Sequence, residues 1–336
     1  MTVATVWFVF LVAMIAVYVV LDGFDLGVGA LHRVLARDAE EREEALSSIG
    51  PVWDGNEVWL IAAGGALFLA FPRAYAAAFS GLYLGLILVL WLLIGRGLGI
   101  ELRHQIGNPL WQTACDTVFW LASAALAFVF GLALGNILRG VPMRPDGTFQ
   151  ITLFEALNRY AVLVGVLGLV VLSAHGITFL AAFARGSLAE RARRRANWVW
   201  ALAVLLVAGA AYPTYSVRPA IVDAFGDQPW RIVFPAATLA ALGAVFALQR
   251  AGSWRRAFLA SCAFVAGLLA TVGAALYPDL LPARKGGAFP LTVHNAASSE
   301  QALRTALFWW PVGIALAVAY FTLAYRHLVL RRVPRG

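Results

Sequence analysis

Apolar runs of roughly 17 to 25 residues, separated by short polar segments, recur along the whole 336-residue chain. About 20 apolar residues in a helix cross the roughly 30 Å hydrocarbon core of a bilayer. A backbone placed there must satisfy its hydrogen bonds internally, which a helix does. The runs predict nine helices, at about 5–30, 57–78, 80–100, 117–138, 160–184, 197–216, 232–249, 257–277 and 307–328. Composition agrees: 13% of residues are charged, 61% are hydrophobic and the mean hydropathy is +0.78, whereas soluble domains carry about 25% charged residues. A water-soluble domain is excluded, and the chain reads as one all-α membrane domain over 1–336.

The net charge of +8 comes from 26 basic residues, only Lys285 being a lysine. These residues sit in short segments between apolar runs, where they set orientation and meet lipid headgroups rather than nucleic acid. Of the 26, 17 fall on the side holding the segments after spans one, three, five and seven together with the C-terminus, and 9 on the other. The positive-inside rule makes the richer side cytoplasmic, with the N-terminus outside. The run Arg191, Arg193, Arg194, Arg195 reads as a cytoplasmic stop signal that contacts lipid heads. No Lys or Arg precedes Arg33, so the first span lacks the basic leader of a cleaved signal peptide and is expected to persist. Cys115 and Cys262 have no paired spacing and are expected to be inert. The segments 139–159 and 278–306 read as ordered outward loops.

This topology brings ionisable residues to one level of the membrane: Asp22 and Asp25 end span one, Asp54 and Glu57 open span two, and Arg96 ends span three. Charges at such depth are costly and normally face the bundle interior with partners. Four carboxylates beside one guanidinium suit proton uptake, and the plainer alternative is a structural pair of Asp25 with Arg96. Asp54 and Glu57 have the spacing of a helix-capping box. Trp53 and Trp59 flank them as interfacial anchors or packing residues, and Gly64 and Gly65 leave room for a partner helix, as do Gly27 and Gly29 in span one.

Of five histidines, His32, His104 and His327 lie at the cytoplasmic boundary and His294 in an outward loop, leaving His175 within a span. It is the one candidate haem ligand, although a lone intramembrane histidine is more often a hydrogen-bonded packing residue. No second histidine or methionine stands opposite it in an axial pattern, so no metal site is expected in this chain.

Two stretches carry a resemblance. Leu21-Asp22-Gly23-Phe24-Asp25-Leu26-Gly27-Val28-Gly29 closes span one, and Gly50-Pro51-Val52-Trp53-Asp54-Gly55-Asn56-Glu57-Val58-Trp59-Leu60 leads into Ala63-Gly64-Gly65-Ala66-Leu67-Phe68 and Phe71-Pro72. With echoes at Gly140-Val141-Pro142 and Asn295-Ala296-Ala297-Ser298-Ser299, the chain resembles subunit II of the cytochrome bd quinol oxidases, the cyanide-insensitive branch included. The resemblance implies two four-helix bundles plus one peripheral helix. It implies a partner subunit I that carries two haems b and one haem d, oxidises quinol and reduces dioxygen to water without pumping protons. Subunit II would lack haem, hold a structural quinone, meet lipids and contribute a cytoplasmic proton route. The resemblance also leaves room for a small single-span accessory subunit. By motif, Asp54 would be a relay carboxylate at the subunit interface, with Asp25, Arg96 and Asp22 below it. A proton-coupled transporter or a scaffold with a purely structural acidic cluster are the competing readings; a transporter of broken-helix inverted repeats finds no repeat here.

Overall fold

The computed structural model describes residues 2–284 and 286–326. Lys285, His327, Arg331, Arg332 and Arg335 lie outside the described residues. The helices are α1 (Val3–Leu35), α2 (Ala39–Ile49), α3 (Trp53–Ala70), α4 (Pro72–Gly81), α5 (Tyr83–Glu101), α6 (Pro109–Arg139), α7 (Leu153–Ala156), α8 (Arg159–Phe183), α9 (Gly186–Val217), α10 (Ala220–Gly226), α11 (Val233–Arg250), α12 (Trp254–Leu276) and α13 (Glu300–Ala324). A short antiparallel pair, β1 (Asp279–Leu281) and β2 (Leu291–Thr292), lies between α12 and α13.

Among the described residues eight helices are long and apolar enough to cross a membrane: α1, α5, α6, α8, α9, α11, α12 and α13, some with flanking turns. The span expected at 57–78 is the exception. It is broken at Phe71 (φ −137°, ψ 60°), with α3 ending before it and α4 starting on Pro72. Proline cannot donate to the preceding turn and disfavours helical geometry in the residue before it. The polar opening of α3, with Asp54, Asn56 and Glu57, further dilutes its apolar character.

The free carbonyls at that break are fastened from far along the chain. Ser298 donates through Oγ to Leu69 O at 2.6 Å and through its backbone N–H to Ala70 O at 2.9 Å. Arg73 Nη1 reaches Asn295 O at 2.8 Å. The loop that supplies these bonds is itself joined to 139–159: Val141 N donates to Pro282 O at 2.8 Å and Arg284 N to Val141 O at 2.9 Å. Gly140 stands at φ +88° with Ala283 and Arg284 against it, a place only glycine fills without strain. The two loops expected to face outward are therefore joined in one cap.

Helix α1 is central and packs on α3, α6, α8 and α12. Its stretch from Asp22 to Ala30 is continuously buried. The crossing with α8 is glycine on glycine: a methyl on Gly27 would overlap the Leu172 carbonyl, and one on Gly176 would overlap the Gly27 backbone. On the opposite side, a methyl on Gly29 would overlap Ser123 of α6. Small residues at such crossings let backbones meet where no hydrophobic force drives association. Helix α13 packs on α1 and α3, and Trp309, Leu316 and Tyr320 on its outer side are exposed.

Candidate functional site

The buried centre of α1 collects charges from two neighbouring helices. Arg96 of α5 is 0% exposed and donates from Nη1 to Asp22 Oδ2 at 2.8 Å and from Nη2 to Asp22 Oδ1 at 2.5 Å. Its Nη1 also lies 3.5 Å from Glu57 Oε1, and the guanidinium carbon sits 5.9 Å from the Trp53 ring centre. Two parallel N–H···O bonds to one carboxylate are the strongest arrangement an arginine offers. The pairing expected between Arg96 and Asp25 is thus replaced by Arg96 with Asp22, because Asp22 is the carboxylate that meets the guanidinium edge on.

Asp25, also 0% exposed, accepts from Asn56 Nδ2 at 2.7 Å through Oδ2, while its Oδ1 has no hydrogen-bond partner among the described residues. Asn56 donates as well to Leu21 O at 3.1 Å and accepts from the Tyr325 hydroxyl at 3.0 Å, which fixes its amide. An uncommitted oxygen on a buried carboxylate is an atom at which a proton can be gained and lost.

Asp54 does not join this group. It is exposed, and its Oδ1 accepts from the adjacent Gly55 N–H at 2.7 Å. The expected capping box is absent too: Val52 holds the N-cap position of α3 without a side-chain cap, and Glu57 turns to Arg96 instead. The convergence of four carboxylates is therefore one of three. The reason is helical phase. The buried residues of α3 are Asn56, Trp59, Ala63, Ala66 and Ala70, three and four apart, while Asp54, Val58, Ile61, Gly65 and Phe68 form the exposed stripe. Among the described residues no atom lies within 4 Å of a methyl placed on Gly64 or Gly65, so no described helix uses the room they provide. Trp59 packs against Phe321 of α13 with ring centres 5.7 Å apart.

His175 is not available to a haem. Its Nδ1 pairs with Ser261 Oγ at 2.8 Å and its Nε2 with Val20 O at 3.0 Å, and its ring stacks on Phe258 at 5.1 Å. Both nitrogens hold α8 to α12 and α1. Among the described residues no group of three or more His, Cys, Asp or Glu could hold a metal ion.

Two further buried polar clusters join side chains from distant parts of the chain. Arg191, expected at lipid heads, is 8% exposed and makes a two-pronged bond to Glu41 at 2.6 and 2.8 Å, with a third to Leu35 O. Asp116 of α6 is 1% exposed and gathers His32 at 3.0 Å and Arg103 at 2.8 Å. Asn56 was detectable in principle, since it extends the 3–4 spacing of Trp59, Ala63, Ala66 and Ala70; the other two clusters join residues 84 and 150 positions apart in sequence and leave no local signature.

The sequence model for cytochrome bd terminal oxidase subunit II matches residues 3–328. The chain belongs to that family. Relatives include a probable cytochrome oxidase subunit 2 of Haemophilus influenzae, 32% identical and covering 95% of this chain and 92% of the relative. The cytochrome bd-I ubiquinol oxidase subunit 2 of Escherichia coli is 32% identical over 94% of this chain and 91% of its own length. The Bacillus subtilis cytochrome bd ubiquinol oxidase subunit 2 is 32% identical over 89% and 87%. The bd oxidase from Geobacillus thermodenitrificans has a chain of the same fold, with TM-score 0.77 at 18% identity over 98% of this chain and 99% of that one. The buried Asp22–Arg96 pair thus lies inside a multi-pass membrane protein of the cytochrome bd subunit II family.

Proposed function

We propose that this subunit II works in a quinol-oxidising, dioxygen-reducing complex of the bacterial cytoplasmic membrane, beside a subunit I that carries two haems b and one haem d. The chain would form a single membrane domain of nine crossings, α3 with α4 supplying the one that composition alone does not, in two four-helix bundles and a peripheral α13. Its N-terminus faces outward and its C-terminus the cytoplasm, as the distribution of arginine favours. Relatives named as subunits of cytochrome bd ubiquinol oxidase support this reading.

Within the complex the chain's own task is to carry protons inward from the cytoplasm. The observation that carries this is the division of labour in the cluster: Arg96 fixes Asp22 by two bonds, while Asp25 keeps Oδ1 unpaired in a fully buried place. Asp22 balances the buried cation, Asp25 exchanges protons, and Glu57, 26% exposed at its side chain, links them to the outer face of α3. Asp54, at the start of the exposed stripe that also carries Gly65, would face subunit I and pass protons across the contact. With the partner co-expressed, Asp54→Asn and Asp25→Asn are expected to retain the haem d absorption yet slow quinol-driven oxygen uptake severely. Membranes that show neither haem d nor quinol-dependent oxygen uptake with the unaltered chain would refute the assignment.

The structural quinone has a candidate place in an apolar groove of about 390 Å³ between α3 and α13, lined by Val58, Trp59, Trp310, Ile314 and Phe321. Trp59 Nε1 and Trp310 Nε1 are buried and unpaired among the described residues. Buried N–H groups call for an acceptor, and a quinone supplies two carbonyl oxygens on an apolar body.

A further inference from the structure

Seven residues beyond Asp25 on α1, about 10 Å along the helix axis, stands His32. It is 1% exposed, and its Nε2 lies 3.0 Å from Asp116 Oδ1. The same oxygen accepts from Arg103 Nε at 2.8 Å, and Arg42 Nη1 lies 3.8 Å from Asp116 Oδ2. Arg103 Nη1 donates to Glu43 Oε2 at 2.5 Å, which His104 Nε2 meets at 2.8 Å. The side chains of Glu43 and His104 are 46% and 54% exposed. A polar file therefore runs from the surface to a buried imidazole.

The file continues toward the carboxylate cluster. Helices α1 and α6 lie antiparallel, as the pairing of His32 with Asp116 and of Gly29 with Ser123 shows. Seven residues beyond Asp116 comes Ser123, 0% exposed, its Oγ lodged against Gly29, midway between His32 and Asp25. Three buried atoms along this path have no hydrogen-bond partner among the described residues: His32 Nδ1, Ser123 Oγ and Asp25 Oδ1. Buried polar atoms are rarely left unpaired, and ordered water usually completes them. A serine hydroxyl both donates and accepts, and a neutral imidazole accepts at one nitrogen while donating at the other.

We propose that Asp116 and His32, with Ser123 as the intermediate hydroxyl, form an inlet along the α1–α6 seam through which protons gathered near Glu43 and His104 reach Asp25, separate from the face that carries Asp54. This rests on the proton-route reading of Asp25 given above. A proton brought by water from Glu43 to Asp116 passes to His32 Nε2 and is matched by one released from Nδ1 to water bonded to Ser123, while Arg103, which keeps its protons, holds the two carboxylates in line. The ring ends neutral, in the other tautomer, and a return flip restores it. Gly29, having no side chain, makes room for the Ser123 hydroxyl at the midpoint of the seam.

The test uses the two-subunit oxidase reconstituted in liposomes, reading quinol-driven oxygen uptake, its solvent deuterium isotope effect and the haem spectrum. His32→Gln keeps a donor toward Asp116 but lacks a second exchanging nitrogen. Ser123→Ala removes a hydroxyl that bonds to nothing else in the described chain, so a purely structural role predicts no change. Both variants are expected to retain the haem spectrum, lower turnover about tenfold, a modest share of what a positioned proton carrier contributes, and enlarge the isotope effect; imidazole added to His32→Ala should restore part of the rate. Wild-type turnover in His32→Gln and Ser123→Ala, with Asp25→Asn still slow, would overturn the inlet and leave the Asp25 route standing. Wild-type turnover in all three would remove the route itself. Should His32→Gln fail to assemble, Ser123→Ala decides alone: slow turnover supports the inlet, and unchanged turnover reduces His32 to a clamp.

Discussion

Arg96 grips Asp22 with both terminal nitrogens, at 2.8 and 2.5 Å, in a place where neither side chain meets solvent. Removing one member strands the other charge. Breaking a buried pair typically costs about 3–5 kcal/mol, because the surviving ion stays desolvated. Arg96→Leu and Asp22→Asn are therefore expected to cut the yield of assembled complex sharply, as measured by haem d absorbance per milligram of membrane protein. Asp25→Asn should assemble normally, since an amide oxygen still accepts from Asn56. Equal losses in Asp22→Asn and Asp25→Asn would show that Arg96 serves both carboxylates alike.

The glycine crossing of α1 and α8 makes a sterically simple prediction. A methyl on Gly27 has nowhere to go except into the Leu172 carbonyl and the Gly176 backbone, which are main-chain atoms rather than yielding side-chain ends. Gly27→Ala should force the helices apart and lower the thermal unfolding midpoint of the detergent-solubilised subunit by many degrees. Gly64→Ala, with open space around it, should leave that midpoint of the isolated subunit unchanged, so the contrast between two glycines of one chain separates crossing from mere flexibility.

Much of this architecture was legible in the order of residues, and the misses have physical causes. Long apolar runs report span positions because the bilayer imposes a single length scale, and the interior place of Asp22, Asp25 and Arg96 follows from the cost of a charge in lipid. Which carboxylate meets the arginine is decided by rotational phase about α1 and α5, and three residues of separation do not reveal that. Asp54 shares the membrane level of the cluster, but the buried stripe through Asn56, Trp59 and Ala63 puts it on the other face of α3. Arg191 read as a surface charge because its partner Glu41 lies 150 residues away.

Glu41 supplies a pH-dependent prediction. Its carboxyl is held down from 4.5 to about 2, chiefly by hydrogen bonds from Arg191, with burial pushing the opposite way and Ser187 and the Arg37 backbone N–H adding to the hold. A carboxylate depressed in the folded state adds stability that is fully present above its unfolded value and is lost as pH falls toward its folded value. The α2–α9 contact should therefore weaken progressively between about pH 4.5 and 2. Unfolding midpoints of the wild-type chain and Glu41→Gln in detergent should differ most near neutral pH and converge toward the bottom of that window. A constant gap across the window would assign the contact to shape alone.

The groove between α3 and α13 can be probed without disturbing its shape. Trp310→Phe and Trp59→Phe each keep an aromatic ring yet remove one of the two unpaired N–H groups. If those donors hold a quinone carbonyl, a bond worth about 0.5–1.5 kcal/mol apiece is lost, and quinone co-purifying with the complex should fall several-fold in the double variant, measured by solvent extraction and chromatography. Haem content should not move, because Trp59 and Trp310 touch the groove and α1 rather than the Asp22–Arg96 pair. Retained quinone with unchanged turnover would mean that the groove is filled by lipid acyl chain, which needs no donor. In that case Trp7, whose own Nε1 donates to Leu303 O at 3.1 Å and whose ring meets Trp310 at 5.3 Å, would be sufficient to fix α13 against α1.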